Sequence, residues 1–472
     1  MEWKTLLCEQ RTRQSVSRSR NKRDLRSEFE KDYHRIIGSA SFRRLQDKTQ
    51  VFPLDQSDFI RTRLTHSLEV SSLAKSLGQN ITQDILQNKR DPQFTWQMKE
   101  HVCNILLCAG LIHDIGNPPF GHFGESAIRE WFLKHMPQLL YKGRPVTEIL
   151  TPQMLSDFYH FEGNAQALRL LTKLHFLVDE NGMNLTYGLL NTIVKYPVAS
   201  TQTDCECGDI RFKKMGFFYA EQELYQRISG ETGTMGMRHP LTFILEAADD
   251  IAYSTADIED AFKKGRISYH TLLRELEQYE AEAPEEEKAY FNPAQVLRDK
   301  YESAVQRGVI HREEYAVQNF LVRVQGFLIS CATYGFLSNY DAIMEGSYCR
   351  DLFAFTYGKG LLHLLGDMAC RYVFVSKPIF KLEIAAETVL NSHLDRFVRA
   401  ALHYDTDVPQ RDVDQKLMAL VSENYKQTYH TYAQGKKEEE RLYLRLLLVT
   451  DYICGMTDGF AKSLYQELGG IW

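Results

Sequence analysis

The sequence has few cysteines, and no pair of them has the spacing of a zinc site. Nine cysteines occur among 472 residues, and only Cys205 and Cys207 are close in sequence, as CEC. A CxxC metal site is therefore excluded, and a disulfide framework is not expected in a chain of this length. We expect buried thiols where the surrounding run is apolar, at Cys103, Cys108, Cys331, Cys370 and Cys454.

The sequence also lacks a net positive charge and a long apolar run. The formal net charge is -6, so no global basic field indicates nucleic acid as the partner. The N-terminal segment is charged where a signal peptide needs an apolar core. No uninterrupted apolar run reaches the length of a membrane span. We therefore expect a cytoplasmic protein with no membrane partner.

Helical periodicity dominates what is present. The chain is 44% hydrophobic, which is enough for a large core. Strand patterns are few: RYVFVSKPIF at 371–380 gives the best short strand, and NLTYGLLNTIVKYP at 184–197 fits a strand or a short helix. The expected fold class is all-α, one large helical body with minor short strands. Apolar spacing predicts helices over 65–85, 102–112, 161–177, 241–262, 313–337 and 438–468.

The segment at 111–126, LIHDIGNPPFGHFGES, brings histidines and carboxylates together around a helix break. His113 and Asp114 end a nearly all-apolar helix. Neighbouring helical residues point about 100° apart, so both can face one ion only in a cleft near the helix end. Imidazole and carboxylate suit a divalent ion such as Mn²⁺ or Mg²⁺. A lone His-Asp pair is also common by chance, at a capped helix end.

Further ligand types stand on two other predicted helices. His66 lies on an amphipathic helix with Arg63 one turn earlier, and Asp249 and Asp250 lie on a second apolar helix. Each of these residues alone is more often part of a polar helix face. Together with His113 and Asp114, they form a set of two histidines and two aspartates from three helices.

This pattern resembles the HD-domain superfamily of metal-dependent phosphohydrolases. The resemblance implies a predominantly helical HD-domain fold and four metal ligands: His66, His113, Asp114 and Asp249. Asp249 is preferred to Asp250 because the family ligand is followed by DIAY. The motifs, taken in order, resemble the deoxyguanosinetriphosphate triphosphohydrolases (dGTPases) and their dNTPase relatives: RRLQDKTQVFPL, RTRLTHSLEV, HDIGNPPFGHFGE, FEGNAQ, KYP, DDIAYSTADIEDA and DYICGMTD.

The resemblance implies metal-dependent hydrolysis of dGTP, with other dNTPs as further candidate substrates. The products would be a deoxynucleoside and tripolyphosphate. Asp47 departs from the RRLQxKTQ pattern, where a basic or amide residue is expected, and this affects substrate preference more than the reaction. The matches are weakest over 270–440, so no base-pocket residue is carried over.

The broken loop suggests the proton donor. Pro118 and Pro119 end the helix, and Glu125 follows His122 by one helical turn. A carboxylate orients an imidazole and favours its protonated form. We therefore expect His122 to act as general acid and Glu125 to orient it. The alternative is a structural histidine followed by a helix-capping glutamate.

The resemblance also implies substrate-binding residues. Arg63 and Lys195 would bind phosphate, and Asn117 either hydrogen-bonds phosphate or is a turn residue. Tyr253 and Asp257 share a helical face with Asp249 and would line the sugar pocket, unless Tyr253 is a core aromatic. Gln46 would join Asp257 at the 3′-OH.

Three regions are expected: a basic N-terminal arm at 1–30, an HD-type core at 31–270, and a helical C-terminal region at 271–472 that packs on the core. The arm is either solvated or binds an anion or a partner subunit. The resemblance implies a homo-oligomer, a hexamer or tetramer, with a nucleotide as effector. The arginine-rich arm suggests single-stranded DNA as another candidate effector.

Three other functions remain open. They are another HD phosphohydrolase reaction, such as nucleotidase or cyclic-nucleotide phosphodiesterase activity; a dNTPase with a broad or non-guanine preference; and a single-stranded nucleic-acid-binding regulator with a residual HD site. The arginine-rich arm motivates the last of these.

Overall fold

A computed structural model describes residues 1–13, 24–50, 60–175, 179–375 and 377–471. The fold is 70% helical. Within the described residues, the strands are β1 (Leu140–Tyr141) and β2 (Arg144–Pro145), which pair antiparallel as a small hairpin. The all-α fold class is therefore confirmed.

The helices of the first half of the chain carry the residues predicted to form the site. They are α1 (Trp3–Leu6), α2 (Glu28–Ile37), α3 (Ala40–Arg44), α4 (Arg63–Gln87), α5 (Trp96–Ile112), α6 (His122–His135), α7 (Val146–Ile149), α8 (Pro152–Tyr159), α9 (Gly163–Arg169), α10 (Tyr187–Ile193), α11 (Gln222–Glu231) and α12 (Pro240–Lys263).

The helices of the second half pack onto this first set. They are α13 (Tyr269–Glu282), α14 (Glu285–Tyr290), α15 (Pro293–Gln306), α16 (Arg312–Ser338), α17 (Tyr340–Glu345), α18 (Gly358–Ala369), α19 (Lys377–Leu402), α20 (Asp412–Leu420), α21 (Glu423–Ala433), α22 (Glu438–Cys454) and α23 (Asp458–Gly469).

Three helices form the frame of the site: α4, α5 and α12, which pack against one another. Helix α4 starts at a capping box, because the Thr62 hydroxyl accepts a hydrogen bond from the Thr65 amide and the Thr65 hydroxyl accepts one from the Thr62 amide. Helix α5 starts at the Thr95 cap and ends at Ile112. The buried side chains of α4 recur every three or four residues and face this core: Val70, Ala74, Leu77, Ile81 and Ile85.

The strand predicted at 371–380 is wrong. Residues Cys370–Phe374 form a π-helical turn that continues α18, and α19 begins at Lys377, while residue 376 lies outside the described part. A lone strand would leave its backbone N–H and C=O groups unpaired, whereas helical continuation satisfies them locally. Cys370 is exposed on this turn, so its predicted burial is also wrong, whereas the other four predicted thiols are buried.

Three other predicted segments differ in detail from the structure. Residues 184–197 contain the short helix α10 rather than a strand. The helix predicted over 438–468 is two helices, because α22 ends at Cys454 and α23 begins at Asp458. The helix predicted over 161–177 starts at Gly163 and ends as a π-helical turn at Leu174, and residues 176–178 lie outside the described part.

Helix α16 is long and apolar enough to cross a membrane by length and composition alone. Core helices of soluble proteins pass the same test. In this chain α16 packs against α4, α12 and α15, and one face is buried through residues such as Phe320, Val324 and Leu328.

One continuous hydrophobic core runs from Trp3 to Leu464. Helix α19 packs against α6 and α22, and α16 packs against α12. The described part of the predicted arm also contacts the body, since Arg11 lies 2.5 Å from Asp32; residues 14–23 lie outside the described part. The predicted boundaries 1–30, 31–270 and 271–472 stay predictions.

Candidate active site

Three side chains from separate helices converge to form a group that could hold a metal ion. His66 comes from α4, His113 follows α5, and Asp249 comes from α12; their ligand atoms all lie within 4.8 Å of one another. The Asp249 Oδ1 atom lies 3.2 Å from His66 Nε2 and 3.4 Å from His113 Nε2. Asp249, not the neighbouring Asp250, belongs to this group. We call His66, His113 and Asp249 the metal group.

The chemistry of this group fits a divalent cation. His113 Nδ1 is 2.8 Å from the Gly110 carbonyl, and an Nδ1–H donated there leaves a lone pair on Nε2. Among the described residues, this buried Nε2 atom has no hydrogen-bond partner. Imidazole and carboxylate groups are ligands that Mn²⁺, Fe²⁺, Co²⁺ and Mg²⁺ use in proteins, and the preferred ratio of the two differs between these ions.

The site concentrates negative charge around its histidines. Burial opposes a charged imidazole, but the Asp114 and Asp249 carboxylates outweigh it and raise the pKa of His113. Burial also opposes ionisation of Asp249, yet Lys195 and His113 lower its pKa well below the usual range. The Asp249 carboxylate is therefore ionised and can bind a cation.

Asp114 lies at the edge of the group. Its Oδ1 atom is 3.6 Å from His113 Nε2 and accepts a 2.9 Å hydrogen bond from Asn117. Its Oδ2 atom pairs with Arg63. Burial raises the pKa of this carboxyl, but Arg63 and His113 lower it overall. Asp114 as the fourth ligand stays a prediction.

His122 and Glu125 form a hydrogen-bonded pair at the start of α6. The distance from His122 Nδ1 to Glu125 Oε2 is 3.0 Å. The His122 side chain is 81% exposed, whereas that of Glu125 is 3% exposed. The hydrogen bond to Glu125 raises the pKa of His122. An accessible imidazole backed by a buried carboxylate has the arrangement of a proton donor.

The turn before His122 has an unusual backbone. Phe120 has φ 64° and Gly121 has φ 61°. The left-handed region is costly for a bulky residue such as Phe120 but open to glycine. A Cβ atom on Gly121 would also lie 2.5 Å from Arg63 Nη2. The turn therefore packs its backbone directly on the Arg63 guanidinium.

The FEGNAQ segment supports Glu125 from behind. The Gly163 amide donates a 2.7 Å hydrogen bond to Glu125 Oε1, leaving Oε2 for His122. A Cβ atom on Gly163 would collide with Asn117 and lie 2.8 Å from Glu125 Oε1. Glu162 is held by Arg129 at 2.9 Å and Lys214 at 3.0 Å. Sequence reasoning matched this motif and assigned it no role.

The predicted phosphate-binding residues lie beside the metal group. Lys195 Nζ is 2.8 Å from Asp249 Oδ2. Arg63 is buried, and its Nε atom has no hydrogen-bond partner in the described part of the chain. Lys195 therefore contacts Asp249, and Arg63 and Asn117 both contact Asp114. Their contact with phosphate stays a prediction.

The predicted sugar-binding residues lie one helical turn apart on α12. Tyr253 is 38% exposed and Asp257 is 4% exposed. Burial, with Asp260 nearby and Arg61 opposing, raises the pKa of Asp257 to about 7. Gln46 is exposed in the 3-10 turn Leu45–Asp47. Their roles toward a sugar stay predictions.

Two further residues at the site were assigned no role from the sequence. Lys48 donates to the carbonyls of Asn117 at 2.6 Å and Cys454 at 2.7 Å. Asp458 Oδ1 accepts a 3.0 Å hydrogen bond from the Phe120 amide. Both lie inside motifs that resemble the family, RRLQDKTQ and DYICGMTD, and these motif matches were the signal that could have identified them.

Comparisons with known proteins agree on one protein family. Residues 63–171 match the HD domain family. The chain is 46% identical over 475 residues to the "deoxyguanosinetriphosphate triphosphohydrolase-like protein" of Listeria innocua, covering 100% of both chains. It is 33% identical to a protein of the same name from Synechocystis sp., again over 100% of both. It is 32% identical to the "deoxyguanosinetriphosphate triphosphohydrolase" of Serratia proteamaculans, covering 94% of each.

Proposed function

Because this chain belongs to the deoxyguanosinetriphosphate triphosphohydrolase family of HD-domain proteins, we propose that it hydrolyses dGTP, with other dNTPs as further substrates. The products are a deoxynucleoside and tripolyphosphate. Hydrolysis of a phosphate ester is the coarser activity that the family membership supports. The base preference is the finer part of the proposal.

The observation that carries the proposal is the position of an exposed, carboxylate-backed histidine beside a metal-binding group. Arg63 links the two, because it pairs with Asp114 and packs on the turn that carries His122. Phosphoryl transfer needs cations for the phosphate charge and a proton for the leaving oxygen. Lys195 and Arg63 would meet the first need, and His122 would meet the second.

Two or three oxygens of a triphosphate would face Lys195, Arg63 and Asn117. A water oxygen forms a bond to the α-phosphorus while the bond from that phosphorus to the 5′ oxygen breaks. The bonding electron pair leaves with the 5′ oxygen, which takes a proton from His122 Nε2, and one proton of the water passes to solvent. Glu125 holds Nδ1 throughout and stabilises the protonated imidazole.

We propose a divalent metal ion, Mn²⁺ or Mg²⁺, as the cofactor, held by His66, His113 and Asp249 with Asp114 as fourth ligand. When bound, such an ion polarises the phosphate and lowers the pKa of an associated water. The other steps belong to residues of the chain itself.

Product analysis in H₂¹⁸O tests the reaction. Metal-loaded protein is incubated with each dNTP and each NTP separately, and nucleoside, nucleotide, phosphate and tripolyphosphate are resolved by mass spectrometry. We expect ¹⁸O in tripolyphosphate, unlabelled deoxynucleoside, and loss of turnover in His122→Ala. The exposed His270 on α13 provides the matched control, His270→Ala, which should retain full activity.

Two results would contradict the proposal. Monophosphate with pyrophosphate, or hydrolysis of cyclic nucleotides alone, would assign another HD phosphohydrolase reaction. Binding of single-stranded DNA with no turnover, unchanged by metal removal, would assign a nucleic-acid-binding regulator. The ranking of the four dNTPs decides between a dGTP-selective and a broad dNTPase.

The assembly and location are also proposed. We propose a cytoplasmic homo-oligomer, a hexamer or tetramer, with single-stranded DNA or a nucleotide as effector. Light scattering coupled to size exclusion gives the assembled mass directly. A monomer at micromolar concentration, with and without dNTP, would contradict the oligomer.

A further inference from the structure

The turn that joins α22 to α23 lies against the catalytic loop, although the two are far apart in sequence. We call residues 454–458 the C-terminal turn and residues 117–122 the catalytic loop. Thr457 caps α23, and Asp458 is the first residue of that helix. Asp458 is buried, and its carboxylate faces the Phe120 amide across a sequence separation of 338 residues.

Each oxygen of the Asp458 carboxylate holds a different segment. Its Oδ1 atom accepts from the Phe120 amide at 3.0 Å. Its Oδ2 atom accepts from the Thr49 amide at 3.0 Å and from the Thr49 hydroxyl. A carboxylate that accepts several N–H and O–H groups forms strong, directional contacts. Asp458 therefore ties the catalytic loop to the segment that precedes α4.

Lys48 makes a second tie between the same parts. Its buried ammonium donates to the Asn117 carbonyl in the catalytic loop and to the Cys454 carbonyl in the C-terminal turn. Its own carbonyl accepts from the Arg63 amide at 3.1 Å, where α4 begins. The next residue, Thr49, forms an isolated antiparallel bridge with Thr62. The start of α4, which bears Arg63 and His66, is thus joined to both the catalytic loop and the C-terminal turn.

The catalytic loop needs such support because its backbone is strained. Phe120, with φ 64°, occupies a region that non-glycine residues adopt at a cost. Such a conformation persists only when the surrounding structure fixes it. The hydrogen bond from the Phe120 amide to Asp458 fixes the strained residue directly, and His122 follows two positions later.

We propose that Asp458 and Lys48 are positioning residues that hold the catalytic loop, so that the C-terminal region completes the active site. The effect on turnover rests on the proposed function, because it acts through His122. The effect on the loop itself does not, because the hydrogen bond to Phe120 exists whatever His122 does.

The test compares Asp458→Ala, Asp458→Asn and the control Thr457→Ala in the full-length protein. Thr457→Ala removes the cap of α23 without touching the catalytic loop, so it destabilises the same helix start. Hydrogen exchange followed by mass spectrometry reports on peptides that contain the Phe120 amide. We expect exchange there to accelerate about tenfold in Asp458→Ala and to stay near wild type in Thr457→Ala.

Activity and metal binding supply the second readout. In Asp458→Ala we expect kcat to fall by about 10- to 100-fold because the proton donor is misplaced. KM for dGTP and the affinity for Mn²⁺ should stay within about twofold, because His66 and Asp249 lie on α4 and α12 and His113 directly follows α5, all outside the catalytic loop. Asp458→Asn should fall between wild type and Asp458→Ala, since its amide oxygen still accepts from Phe120 while its NH₂ group faces the Thr49 amide.

The outcomes separate the two proposals. Loop exchange that rises no more in Asp458→Ala than in Thr457→Ala overturns the positioning role, as does an equal loss of kcat in both. If Asp458→Ala does not fold, Asp458→Asn decides by the same comparison. If wild type hydrolyses no dNTP, the proposed function fails, and the exchange data still decide the positioning role.

Discussion

The two halves of the active site are held in place by different forces. The metal group sits on three long helices whose apolar faces form the core, and His66 and His113 are buried among them. Residues 117–121 of the catalytic loop are also buried, and Phe120 joins the core, but these residues belong to no helix. His122 is exposed, and the loop backbone accepts a hydrogen bond from Lys48 at Asn117 and donates one to Asp458 from Phe120. Core packing of long helices thus places the proposed metal ligands, whereas the loop before His122, the proposed proton donor, also depends on polar contacts with distant segments. Variants of the two halves should therefore fail in different ways.

The largest effect should come from the metal group. Asp249→Ala removes the oxygen that both histidines face, together with the partner of Lys195. We expect loss of Mn²⁺ binding by isothermal calorimetry and a fall in kcat/KM of about 10³-fold or more. Circular dichroism should show unchanged helix content, because the side chain is not part of the apolar core. Mn²⁺ binding at wild-type affinity would show that the ligands lie elsewhere.

The next effect should come from the proton donor. His122→Ala should lower kcat by about 10²- to 10⁴-fold, the usual contribution of a general acid. Mn²⁺ affinity should be unchanged, in contrast to Asp249→Ala, because His122 is not part of the metal group. Loss of both Mn²⁺ binding and turnover in His122→Ala would show that His122 and the metal group do not act as separate parts of the site.

The pH profile sharpens the comparison for Glu125. A hydrogen bond to Glu125 raises the pKa of His122, and in the proposed mechanism the protonated form is the active one. Activity should therefore be lost as the pH rises through that pKa. Glu125→Gln removes the charge and lowers the pKa of His122, so the alkaline limb of kcat against pH should move to lower pH, with kcat about tenfold lower. An unmoved limb would show that another group titrates.

The smallest effect should come from the support behind Glu125. In Gly163→Ala the new methyl group collides with Asn117 and approaches Glu125 Oε1. We expect a loss of about 1–3 kcal/mol in unfolding free energy, typical of overpacking. Activity should fall severalfold, because Glu125 shifts away from His122. Thermal unfolding and kcat measured on one preparation check both effects. An unchanged unfolding free energy together with an unchanged kcat would show that the segment around Gly163 shifts to make room for the methyl group.

Much of this site could be predicted because its signals are local. His122 and Glu125 are one helical turn apart, and the structure places them 3.0 Å apart. The helices that carry His66 and Asp249 have clear apolar periodicity, and the structure has them as α4 and α12. The strand predicted at 371–380 failed for the opposite reason, since a short apolar run has no distinct period and its helical neighbours decided its conformation.

The sequence by itself determined the all-α class through its apolar periodicity and the break before His122 through its two prolines, and its motifs pointed to the metal group through their resemblance to the HD-domain superfamily. Only the tertiary structure decided that Arg63 pairs with Asp114, and that Lys48 and Asp458 hold the catalytic loop. Those two residues bind backbone N–H and C=O groups of distant segments. Every residue but proline carries the same backbone groups, so no pattern of side chains marks which of them will meet.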